Sequence, residues 1–129
     1  MGLTFDTGAL IGLERARQQM RQVYATAIAK DVPIIVPAVV VAEWWRLGRK
    51  EKERAQILRS VIIEPTTDHV ARLAGAALTA LPGAQTIDAL VMACAAQRPN
   101  EIVYTSDPDD LEALRAAVPQ FAAIRILHA

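Results

Sequence analysis

Cysteine is all but missing from this chain. Cys94 stands alone among 129 residues, so no internal disulfide can form, and its place among alanines in a helical stretch suits a small buried thiol rather than a nucleophile. Histidine is scarce too: His69 and His128 lie far apart, and no Cys or His cluster has the spacing of a zinc site. Long apolar runs are lacking. The longest, such as residues 38–42, are far too short to span a bilayer, and the N-terminus has no basic region followed by an apolar core, so a cytoplasmic protein without a membrane anchor is expected. Gly2 is not followed by the Ser or Thr that myristoylation requires, because Asp6 holds that position.

Net charge is lacking only on average. Residues 1–60 carry ten basic and six acidic side chains, a net +4, while the remainder carries four basic and eight acidic, a net −4. A basic flank beside an acidic pocket suits a polyanion held next to bound metal, although solvated helix faces explain the same distribution. What the chain has in quantity is apolar surface: 53% hydrophobic residues and a mean hydropathy of +0.22 describe one packed domain spanning residues 1–129.

The apolar runs alternate in character. Residues 3–5, 34–36, 61–63, 102–104 and 123–127 are short, β-branched or aromatic, and read as buried strands. Between them fall helical patterns over residues 9–30, 37–47 with Gly48 as the stop, 50–60, 70–81, 86–97 and 111–118. Pro82-Gly83-Ala84-Gln85 is the loop with the strongest breaker chemistry. The order β-α-β-α-α-β-α-α-β-α-β implies an α/β fold: a three-layer α/β/α sandwich with a parallel sheet and right-handed crossovers.

Carboxylates recur where strands run into helices. Ile102 to Thr105 turns through Ser106-Asp107-Pro108 into a helix, and Phe5 turns through Asp6-Thr7-Gly8 into another; in a parallel sheet both junctions lie at the carboxyl edge, where ligands bind. Each acid also has a structural explanation. Asp107 suits an N-cap, and Asp109 and Asp110 complement the helix dipole, together worth about 1–2 kcal/mol. Asp6 has less excuse, since Thr7 could cap its helix. Glu43 interrupts an apolar helical stretch, facing either solvent or a polar cleft. Asp88 follows Thr86, a candidate N-cap, and could serve the dipole. Trp44 and Trp45 stand about 100° apart on their helix, so both cannot face one core, and at least one is expected at a rim or a partner.

Together these stretches resemble a family, the PIN-domain nucleases, and within it the VapC-type toxins of bacterial toxin-antitoxin pairs. The likeness rests on Phe5-Asp6-Thr7-Gly8-Ala9-Leu10, Val41-Ala42-Glu43, Thr86-Ile87-Asp88-Ala89 and Tyr104-Thr105-Ser106-Asp107-Pro108-Asp109-Asp110-Leu111, in that order, and covers essentially the whole chain. Leu111 departs from the Phe of many members. The resemblance implies a five-stranded parallel sheet of order 3-2-1-4-5 and a metal-dependent endoribonuclease. Its acidic positions fall on Asp6, Glu43, Asp88, Asp107 and Asp110, with Asp6, Asp88 and Asp107 as ligands of Mg²⁺ or Mn²⁺ and with Thr7, Thr105 and Ser106 in support. It further implies an RNA substrate, a homodimer and a VapB-like antitoxin. Arg15, Arg46, Arg49 and Lys50 are candidates for steering RNA phosphates, and Trp44 and Trp45 for antitoxin contact. Oxygen-only donors suit these hard ions.

Two other readings stay open at this stage. One is a non-catalytic PIN-like binding module. The other is an aspartyl-phosphate phosphohydrolase, which Phe5-Asp6-Thr7-Gly8 slightly resembles, although that family needs a second Asp where this chain has Gly8.

Overall fold

A computed structural model describes residues 2–48 and 50–129; Arg49 therefore lies outside the described residues. Among the described residues there are five strands, β1 (Leu3–Phe5), β2 (Ile34–Pro37), β3 (Ile62–Glu64), β4 (Ile102–Thr105) and β5 (Arg125–His128). All pair in parallel, in the order β3-β2-β1-β4-β5. The registry sets Leu3 beside Ile34 on one side and Ile102 on the other. Helices cover the central strands, so β1 and β2 bury every residue and read as unbroken apolar runs rather than alternating ones.

The helices are α1 (Thr7–Glu14), α2 (Gln18–Ala29), α3 (Ala38–Trp44), α4 (Glu51–Arg59), α5 (Asp68–Ala80), α6 (Thr86–Ala95) and α7 (Pro108–Ala117), followed by a 3-10 turn over Pro119–Phe121. Where the pattern of residues 9–30 suggests one helix, the chain makes two. Ala16 adopts φ +56, the Arg17 N–H donates to the Gly12 carbonyl at 2.9 Å and the Ala16 N–H to the Leu13 carbonyl at 3.0 Å. That pair of bonds is a Schellman ending, usually marked by glycine at the left-handed position. Alanine hides the signal. The break lets α2 fold back so that Met20 packs over Gly12 and is fully buried.

The α3 helix also stops earlier than its apolar pattern suggests, at Trp44, and Leu47 is left 78% exposed. Arg54 from α4 fixes this end: its guanidinium donates to the Trp44 carbonyl at 2.9 Å, lies 5.3 Å from the centre of the Trp44 ring, and pairs with Glu14. Elsewhere α5 buries Val70, Ala74 and Ala77 on one stripe, and α6 is buried over Val91 to Ala95 against the sheet. Strand order 3-2-1-4-5 leaves β1 and β4 adjacent, with their onward connections running to opposite sides. The carboxyl ends of those two strands form the topological switch point.

Candidate active site

Asp6 ends β1 and caps α1, its Oδ1 accepting the Ala9 N–H at 3.0 Å. The cap expected of Thr7 is thus supplied by Asp6. Thr7 instead donates its hydroxyl to Glu43 Oε1, tying α1 to α3. Burial raises the Asp6 carboxyl above the usual carboxylate range; the Thr105 hydroxyl and the Ala9 and Gly8 N–H groups pull it partly back, and the Glu43 charge adds to the rise.

Asp107 occupies the N-cap position of α7, yet its carboxylate makes no capping bond. Its own N–H donates to Thr105 Oγ1 at 3.0 Å. Pro108 opens the helix, Asp109 and Asp110 complement its dipole, and the Asp107 carboxylate is left without a structural task.

The two strand ends meet because residue 8 has no side chain. A Cβ on Gly8 would stand 2.1 Å from Ser106 Oγ and 2.8 Å from the Ser106 N, closer than real atoms approach. Only glycine admits the β4–α7 turn against the start of α1.

Asp88, in the first turn of α6, completes the arrangement. Its carboxyl is raised to about 6, chiefly by burial and then by the charges of Asp110, Asp6, Asp107 and Glu43. Asp6, Glu43, Asp88 and Asp107 line one cavity of about 180 Å³, together with Thr7, Ser106 and Gln85. Asp110 does not line it. That residue faces an adjoining depression of about 340 Å³, which shares Asp88 and Gln85 with the cavity.

Thr86 stands inside α6, and Gln85 takes the N-cap position without a side-chain bond. Gly8 stands in a motif and Gln85 in a loop that the sequence marks, but the close approach at Gly8 and the place of Gln85 in the cavity lining depend on contacts between distant residues. Of the basic candidates, Arg15, Arg46 and Lys50 are exposed but none lines the cavity. Trp44, expected at a partner surface, is 3% exposed and buried under Arg54, so Trp45 alone remains available for such contact.

The donor set of the cavity is all oxygen, as hard divalent ions require. Among the described residues no three His, Cys, Asp or Glu side chains converge closely enough to make a protein-only metal cage. An ion of the Mg²⁺ type, which takes one or two carboxylates and completes its shell with water and substrate phosphate, does not require such a cage.

A sequence profile of the PIN domain matches residues 3–117. Comparison with curated protein sequences finds no match. Among solved structures the fold is similar to VapBC2 from Rickettsia felis bound to a DNA fragment from their promoter, with a TM-score of 0.77, 13% identity, and 100% of this chain and 99% of that chain covered. It is similar to DNA-bound VapBC from Salmonella typhimurium, at 0.70 and 12% identity with 99% and 98% covered. A toxin-antitoxin complex from Klebsiella pneumoniae gives 0.66 and 17% identity, covering 98% and 96%.

Proposed function

Because this chain belongs to the PIN domain family, we propose that it is a metal-dependent endoribonuclease, the toxin of a VapC-type pair. One observation carries the reading: four carboxylates from four separate stretches of chain line a single small cavity at the switch point of the sheet. Such a concentration of like charge disfavours folding. Two carboxylates 4 Å apart repel by about 4 kcal/mol at an effective dielectric near 20, so a site of this kind is built for a cation.

Asp6, Asp88 and Asp107 are the residues that would hold Mg²⁺ or Mn²⁺, one or two by direct contact and the rest through the ion's water. A bound divalent ion supplies neutralisation of phosphoryl oxygens and acidification of water. Asp6 is held rigidly by its bond to Ala9, so one ligand direction is fixed before substrate arrives. Glu43, oriented by Thr7, is placed to take a proton or to orient attacking water, and Asp110 acts through its charge on Asp88. Thr105 organises both strand ends, accepting from the Asp107 N–H and lying against Asp6, and Ser106 lines the cavity.

Gly8 weighs against the aspartyl-phosphate chemistry, for no side chain of any kind fits at that position. The acidic set in the cavity weighs against a binding module. The proposal extends to partners: a VapB-like antitoxin that covers the acidic cavity, a homodimer, and action on RNA in the cytoplasm. No helix among the described residues is long and apolar enough to cross a membrane.

The test is cleavage of single-stranded RNA by the purified chain in Mg²⁺ or Mn²⁺ against EDTA. Asp6→Asn and Asp88→Asn should abolish cleavage while leaving the fold intact. Undiminished metal-dependent cleavage by either variant removes that residue from the site, and absence of cleavage by the parent chain with either ion overturns the assignment.

A further inference from the structure

The depression beside the acidic cavity has its own construction. Leu81 to Ala84 form a turn closed by the Ala84 N–H on the Leu81 carbonyl at 3.2 Å, with Pro82 second and Gly83 third at φ +96, the combination a type II turn requires. Opposite stand Asp110 and Ala113 on α7. Its volume of about 340 Å³ falls within the usual range for small-ligand sites, and it opens onto the cavity through Gln85 and Asp88.

Its chemistry is selective. Leu81, Pro82, Ala84 and Ala113 give it apolar walls, while Gln85 offers an amide that both donates and accepts, and Asp110 a carboxylate that only accepts. Among the described residues no Lys or Arg lines it, so a phosphate has nothing to pair with there. A flat, uncharged ring with N–H groups at its edge fits what a phosphate does not.

Resting on the reading of the acidic cavity as a phosphodiester site, we propose that this depression is a base-binding subsite. It takes the base of the nucleotide next to the scissile phosphate and favours bases with an exocyclic amino group: cytosine, adenine and guanine over uracil. The amino group donates to the Asp110 carboxylate, and the Gln85 amide meets the neighbouring edge atom, the pairing by which carboxylates and amides read bases elsewhere.

Ala113 is exposed on α7, so Ala113→Phe fills the depression without entering the core. Cleavage is mapped on RNA randomised around the cut. The parent chain should disfavour uracil at one flanking position, and Ala113→Phe should flatten that preference and raise KM by about tenfold with kcat little changed. Indifference of the parent chain to the flanking base, or an unaltered preference in Ala113→Phe, overturns the subsite.

A second measurement needs no cleavage. Binding of a fluorescent single-stranded hexanucleotide to Asp6→Asn protein should weaken about tenfold when Ala113→Phe is added. Equal binding overturns the proposal. Loss of binding with a parent chain that cuts no RNA leaves the subsite standing and removes the nuclease assignment alone.

Discussion

Asp88 sits half-buried among four other carboxylates and keeps its proton to about pH 6. In the unfolded chain the same group titrates near the ordinary aspartate value of 3.8. A folded-state pKa raised in this way contributes stability below pH 4 that is lost as pH climbs through about 6. Thermal melts in EDTA should therefore show a lower Tm at pH 7.5 than at pH 5. Allowing for solvent screening of a partly exposed group, the loss is about 1–2 kcal/mol, and Asp88→Asn should flatten the dependence. Metal affinity should fall below pH 6 for the same reason, since the ion displaces that proton. Gly8 gives a second residue-scale expectation. Gly8→Ala drives a methyl into Ser106 and should cost about 1–3 kcal/mol along with activity. Adding Ser106→Gly should restore only part of this in denaturant titrations, because the Ser106 backbone nitrogen still lies within 2.8 Å.

Strand-to-helix junctions decide which acids are free to act, and helix endings decide where the elements stop. Asp6 and Asp107 look alike in sequence, each following a strand, yet only Asp6 caps its helix. Asp6→Ala should cost about 1 kcal/mol by losing the cap, whereas Asp107→Ala should leave the unfolding midpoint unchanged or raised. At the α1–α2 break, Ala16 holds a left-handed conformation that costs an L-residue about 1–2 kcal/mol. Ala16→Gly should accordingly raise Tm by several degrees in calorimetry. The single helix expected over residues 9–30 failed for this reason: periodicity continues through the break, and no Gly or Pro marks it. The end of α3 was equally hidden, being set by Arg54 reaching back from α4. Conversely, Pro82-Gly83 announced its turn because both residues have the backbone that the turn requires.

Across the whole molecule the polar groups gather at opposite edges of the sheet. At the carboxyl edge the acids form no ion pair among the described residues. At the amino edge Glu101, 1% exposed, is bonded by Thr4 at 2.6 Å and by Arg98 at 2.9 Å. Arg98→Ala would leave that carboxylate buried without its counter-charge and should cost about 3–5 kcal/mol, read as a lower denaturant midpoint. Mg²⁺ or Mn²⁺ should raise Tm over EDTA in the parent chain and much less in Asp6→Asn, since the ion binds only the folded cavity. The sequence by itself determined the element order, the parallel sheet and the motifs carrying the acids, because strand and helix periods and strand-to-helix turns are local properties of neighbouring residues. Only the tertiary structure decided that four acids share one cavity while Asp110 faces the next, that Trp44 is core, and that Gly8 must be bare. Those are matters of distance between residues far apart in the chain, and burial and charge repulsion follow from how the fold sets those distances.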